Sequence, residues 1–304
     1  MSALLAGELR RVTARRLVRW IFALAAIGIV VGALITFFKT SSISQSAYEA
    51  RVQAAQASAT SGVTPPPGLS FCQPGQKQAT RGPINCVPRP TVEVHDPRFH
   101  LTSLKNVFEA VVAPLCVLAS LIGASVMGAE WPNRTITTIL TWESRRVRVL
   151  AAKSIAIVVV SVVLTLATLV LLGVALLPAA LLHGTTMGAS STWWRSLAGV
   201  LGRGTALVPL IALIAFSIAA VGRSTASALI VFFGYVVILE RFIVLIHGWA
   251  RWLLVANAVV FITGKAQSID GNTRTFWTAV VYLLVVTAAL YLIAALDFRR
   301  RDIA

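Results

Sequence analysis

Charge is scarce in this chain. Only 12% of its 304 residues are Asp, Glu, Lys or Arg, and just 11 of them are acidic. A soluble domain is about 25% charged, so too little charge is present to cover a globule of this size. That argues against a soluble enzyme and against a disordered chain. Residues that carry chemistry are few as well. The four histidines, at 95, 100, 183 and 247, are scattered, and there are three cysteines. No HExxH motif occurs, and no Ser–His–Asp set can be read from spacing. The phosphate-cradling loop G-x-x-x-x-G-K-[ST] is missing too, because Gly264-Lys265 lacks the upstream glycine and the following hydroxyl. No metal or cofactor site is expected, and the chain is not expected to be an enzyme by itself.

What is present is hydrocarbon. The chain is 57% hydrophobic, with a mean hydropathy of +0.80. Crossing a bilayer takes about 20 mostly apolar residues, and six segments qualify. They are 20–38, 107–128 with Pro114 inside, 154–182 with Pro178 near its end, 197–221, 225–246 and 276–296. The fourth is interrupted by Gly202, Arg203 and Gly204. The first is longer than the apolar core of a signal peptide and no small-residue cleavage site follows, so it reads as a span. The predicted fold class is an all-α membrane protein with six transmembrane helices.

Charge distribution orients it. The net charge is +16, yet no basic domain separates from the apolar bulk, so nucleic acid is not an expected partner. Lys and Arg gather instead in cytoplasmic loops. The N-terminus, the 129–153 loop, Arg223 and the tail 297–304 together hold 14 of the 27 basic residues. The short connections of the opposite side hold 6. Both termini are therefore predicted to be cytoplasmic. The long 39–105 loop has seven more, but long translocated loops count little in this rule.

The pieces between the spans have characters of their own. In 1–19, Leu5, Leu9 and Val12 share one helical face, with Glu8, Arg11, Arg15 and Arg19 on another. This reads as an amphipathic helix in the lipid headgroups, or as a basic flank that fixes topology. Residues 39–105 form an external loop domain. Its stretch 41–61 could continue as an exposed helix until Pro65-Pro66-Pro67 ends it. Cys72 and Cys86 in that loop read as a disulfide in an oxidising compartment, or as two free thiols. Cys116, inside the second span, reads as a small buried hydrophobe. In 129–153, Pro132 breaks the helix of the second span, and a short helix carrying Ile136, Ile139 and Leu140 follows. Composition leaves open whether that helix passes force to a partner or simply lies at the interface. The mostly apolar 248–275 is too short to cross the membrane twice. A pair of re-entrant or interfacial helices fits it, with Trp249 and Trp252 at headgroup level.

Arg203 and Glu240 fall at similar depth in the fourth and fifth segments, by residue count from the cytoplasmic turn. A charge within the membrane costs about 2.5–3.5 kcal/mol on insertion scales. The two are expected to pair, or to face the outer end of a pathway, unless each snorkels to the headgroups.

The 129–153 loop also carries a family likeness. Gly128-Ala129-Glu130-Trp131, Arg134-Thr135, Leu140-Thr141-Trp142-Glu143 and Arg145-Arg146, followed by Lys153, resemble the ABC-2 type permeases, the membrane subunits of ABC exporters. Asp96-Pro97-Arg98-Phe99 before the second span resembles actinobacterial members, and Arg223-Ser224-Thr225 resembles the family's turn between spans four and five. Pro132-Asn133-Arg134 departs from the family's Gly-rich start of the coupling helix.

The resemblance implies an ABC-2 (type V exporter-like) permease fold in a bacterial plasma membrane. It implies a homodimer, or a dimer with a homologous permease chain, and two copies of a separate ATP-binding subunit that bring ATP and Mg. The coupling residues would be Glu130, Trp131, Arg134, Ile136, Ile139, Leu140, Glu143, Arg145 and Arg146. The cargo would be a hydrophobic or amphipathic lipid, drug or peptide moved outward. The alternative is a non-transporting membrane sensor or assembly scaffold with an external cap. A secondary transporter should show inverted repeats, and none is visible.

Overall fold

The computed structural model describes residues 2–61, 70–71, 86–87, 96–132, 145–185, 189–244, 249–269 and 272–300. Six helices are long and apolar enough to cross a membrane: Arg16–Lys39, Leu101–Gly128, Arg146–Leu182, Ser191–Gly222, Thr225–Val244 and Phe276–Arg300. They are called spans one to six below. This is an all-α membrane protein, as its hydropathy predicts.

Several boundaries differ from the sequence reading, each for a physical reason. Span three begins at Arg146 rather than at 154, because the charged run Arg146–Lys153 contains no helix breaker and Arg and Lys are good helix formers. Span four is one unbroken helix of 32 residues through Gly202, Arg203 and Gly204. A glycine costs about 1 kcal/mol of helix propensity, less than leaving backbone groups unpaired in hydrocarbon. The N-terminal helix is shorter than predicted. It covers Ser2–Ala14, and Arg15 leaves helical geometry (φ −62°, ψ 130°) before span one starts. Its predicted polar face is only partly exposed: Glu8 is buried against the bundle together with Val12 of the apolar face, whereas Arg11 and Arg19 stay exposed. The outer helix runs from Gln45 to Ser61 and is separate from span one.

Region 248–275 also departs from expectation. Among its described residues there is one short apolar helix, Leu254–Thr263, not a pair. A single 3₁₀ turn, Ala250–Trp252, precedes it. Gly264 ends it at φ +65°, the left-handed cap that glycine adopts without strain. An antiparallel hairpin, Gln267–Ile269 with Asn272–Arg274, leads on to span six.

Span four is the centre of the bundle, packed against spans two, three and six and the short helix. Small residues allow the closest approach, between spans two and four. A Cβ at Gly123 would sit on the Ala212 carbonyl oxygen, and one at Gly204 would lie 2.9 Å from a Val112 methyl. Gly123→Ala is therefore expected to destabilise the protein by about 1–3 kcal/mol through overpacking against rigid backbone. Thermal unfolding in detergent checks this, and an unchanged midpoint would show that the helices separate freely.

The N-terminal helix packs against spans one and three, and Arg15 just after it reaches the end of span two. There, Gly128 at the end of span two lies against Thr225 at the start of span five. At the far end, Phe99–His100 and Gly184–Thr185 form a short parallel ladder that ties the start of span two to the end of span three.

Candidate functional site

A buried ion network joins the N-terminal helix to the ends of spans two and three. Lys153, about two turns into span three, is only 1% exposed. Its ammonium donates to Glu8 Oε2 at 2.9 Å and lies 2.9 and 2.8 Å from the two carboxylate oxygens of Glu130. Glu8 and Glu130 are 3% and 5% exposed. Taking charges this far from water is costly unless each is paired and hydrogen-bonded, and here each is.

Arg15 completes the set. Its Nη2 donates to Glu130 Oε1 at 2.9 Å. Its guanidinium also donates to the carbonyls of Ser125 (2.8 Å) and Val126 (3.3 Å). These belong to the last turn of span two, the negative end of the helix dipole, where a cation is favoured. The non-helical backbone at Arg15 thus turns its side chain onto span two. Arg11 reaches Glu8 from outside at 3.3 Å.

Trp131 extends the junction. The Arg223 guanidinium lies 5.2 Å from its ring centroid, and Phe298 meets it edge-on at 6.4 Å. Arg223 takes the left-handed conformation (φ 55°) that closes span four, with its N–H donating to the Ala219 carbonyl at 2.9 Å. The residues after span two are thereby fastened to the turn between spans four and five and to the end of span six.

The residues assigned to ATPase coupling divide accordingly. Glu130 and Trp131 face into the protein. Arg145 precedes span three without a side-chain cap bond and is exposed, and Arg146 begins the helix. Arg134, Ile136, Ile139, Leu140 and Glu143 lie outside the described residues, as do Cys72 and the side chain of Cys86. Sequence reasoning named Glu130 and Lys153 but not their union, and it missed Glu8 and Arg15 as partners. The one available signal was Glu8 itself, the only acid among the first 48 residues.

Arg203 and Glu240 are not brought together. No ion pair links them among the described residues. Glu240, 5% exposed, instead accepts the Val255 N–H at 3.0 and 3.3 Å on its two oxygens. The Leu254 N–H and the Tyr235 hydroxyl also face it. Arg203 occupies the space that a Cβ at Gly264 would fill. The two charges therefore sit at opposite ends of Leu254–Thr263, a separation of about 15 Å for ten residues at 1.5 Å each. Residue counting measured their depth along two spans and could not see a third helix between them.

A second polar cluster stands at the far end. The Arg98 guanidinium donates to both oxygens of Asp96, the shortest contact being 2.6 Å, and to Gln45 Oε1 at 2.6 Å. It also lies 4.8 Å from the centroid of Tyr48. His100 Nε2 is 3.0 Å from Asp96. Arg98 thus fixes the outer helix to the start of span two, and its hydrogen bonds hold the Asp96 carboxyl below the usual carboxylate range. A lowered native value contributes stability above the unfolded value of about 3.9 and loses it as pH falls through the native one. Proteolysis of Gln45–Ser61 is therefore expected to be slow and flat from neutral pH down to about 5, and faster across that window in Arg98→Ala. Equal rates in the two proteins would show that the outer helix is held otherwise.

A bundle of six spans with an ion-locked N-terminal helix defines a class, a multi-pass helical membrane protein. Residues 100–304, about two thirds of the chain, match the model of a family described as a protein of unknown function (DUF2705), and the chain belongs to that family. The match covers spans two to six, and with them Glu130 and Lys153, but not the N-terminal helix or span one. No curated protein matches the chain.

Proposed function

We propose that the chain is the permease subunit of an ATP-driven exporter of the ABC-2 type, moving a hydrophobic or amphipathic substrate outward with a separate ATP-binding subunit. The observation that carries this reading is the network of Glu8, Arg15, Glu130 and Lys153. Glu130 stands just before segment 133–144 and Lys153 just after it, and their carboxylate and ammonium are in direct contact. A partner pushing on that segment would push at once on spans two and three and on the N-terminal helix. Trp131 would carry the same displacement to Arg223 and to span six. The junction has the connections a force-receiving site needs, and they agree with the motif resemblance around Glu130, Arg146 and Lys153. The N-terminal end is then cytoplasmic, and the protein works as a dimer.

The test is co-expression with an ATP-binding subunit encoded beside it, followed by reconstitution in vesicles. A stable complex is expected, with ATP hydrolysis stimulated by amphiphiles and crosslinks from the partner to 133–146. A chain that recruits no ATPase would instead be a membrane sensor or scaffold. On the export reading the 39–105 loop is outside, and Cys72 and Cys86 are expected to be joined. Peptide mapping of unreduced protein that finds both thiols free would exclude the bond.

A further inference from the structure

The short helix Leu254–Thr263 is matched at both ends by charges from two different spans. Its amino end, where backbone N–H groups are unpaired and the helix dipole is positive, meets the Glu240 carboxylate of span five. Its carboxyl end, closed by Gly264, meets the Arg203 guanidinium of span four, whose Nε is buried without a hydrogen-bond partner. Among the described residues no cation lies within ion-pair distance of Glu240, and its buried carboxyl group is held by backbone N–H donors and a hydroxyl.

The backbone just before Glu240 is specialised for this. Gly234–Leu239 forms a π-helical turn, in which bonding runs from i to i+5. That wider turn brings Tyr235 onto the face of Glu240, five residues on, and the Tyr235 hydroxyl faces the carboxylate. In an α-helix residues five apart diverge, so the π turn is needed to assemble the contact.

Beside the contact lies an apolar cleft of about 400 Å³ between spans two, four and five and the short helix, lined by Cys116, Ile211, Phe232, Val236 and Ala258 among others. Leu254 and Val255, whose N–H groups hold Glu240, also line it. Its volume falls within the range of small-molecule sites, about 300–1,000 Å³.

We propose that Glu240 is a latch and the short helix a movable wall, so that release of the carboxylate from the amino end of Leu254–Thr263 opens this cleft. The π turn is the hinge on the span-five side, and Arg203 steadies the far end. The inference concerns the opening of the cleft and stands whether or not the chain is an exporter.

Cys116, which lines the cleft, is a native reporter. The whole chain in detergent micelles is treated with N-ethylmaleimide, and modification of the Cys116 peptide is followed by mass. Glu240→Gln keeps the shape but loses the charge-assisted bonds, and labelling should quicken about tenfold or more. Tyr235→Phe removes one neutral donor and should give about a threefold rise. Arg203→Gln should also quicken labelling, because it frees the other end. Wild-type labelling rates in a folded, monodisperse Glu240→Gln protein would overturn the proposal. If that variant does not fold, Tyr235→Phe decides, and an unchanged rate there overturns it equally.

Discussion

Lys153→Met is expected to destabilise the protein by about 3–5 kcal/mol, the usual cost of breaking a buried ion pair by removing one partner. Methionine fills much the same volume, so the loss is electrostatic and not a cavity effect. Arg15 still reaches Glu130 at 2.9 Å, whereas Glu8 keeps only Arg11, at 3.3 Å and largely exposed. Glu8 is therefore the group left most uncompensated. Adding Glu8→Gln to Lys153→Met should recover part of the loss, while Glu8→Gln in the wild type should cost stability. That non-additivity is the signature of direct contact. Thermal unfolding of the four proteins in one detergent reads it, and simple additivity would mean that Lys153 and Glu8 do not act together. On the export reading, Lys153→Met should also leave ATP hydrolysis by the partner intact while lowering transport.

The spans were legible because hydrophobic length is a local property. Each of the six stretches contains its own run of apolar residues, and no distant contact is needed to recognise it. Helix ends were less legible. The run Arg146–Lys153 looks like a loop by charge, but charge does not break a helix, and the absence of Gly and Pro there was the better sign. Gly202 and Gly204 misled in the opposite sense. Gly204 is small because Val112 packs on it, and span four passes through both. The ion network was hidden for a different reason. Glu8 and Lys153 are 145 residues apart, and only packing of the N-terminal helix on span three joins them. Glu8 was read as part of a polar surface face because helical periodicity shows which residues share a face but not what that face meets. The π turn in span five leaves no mark in hydropathy. What it serves, the seating of Glu240 against the short helix, is a contact between elements that are separate in sequence.

The charge swap Arg203→Glu with Glu240→Arg separates the observed arrangement from direct pairing. Two charges that face each other should tolerate exchange, and the swap would then restore the yield lost in either single variant. Charges at opposite ends of one helix should not. Exchange would place a guanidinium against the N–H groups of Leu254 and Val255, which donate and cannot accept. It would also place a carboxylate against the carbonyl end of the helix near Gly264. Each misplacement opposes the helix dipole, at about 0.3–1 kcal/mol when exposed and up to about 2 kcal/mol when partly buried. Each also leaves a buried charge without partners, the larger cost. The double variant is therefore expected to be less stable than either single one, with less folded, monodisperse protein recovered and a lower unfolding midpoint. Recovery of the wild-type midpoint in the swap would show that Arg203 and Glu240 meet, and that the short helix is not held between them.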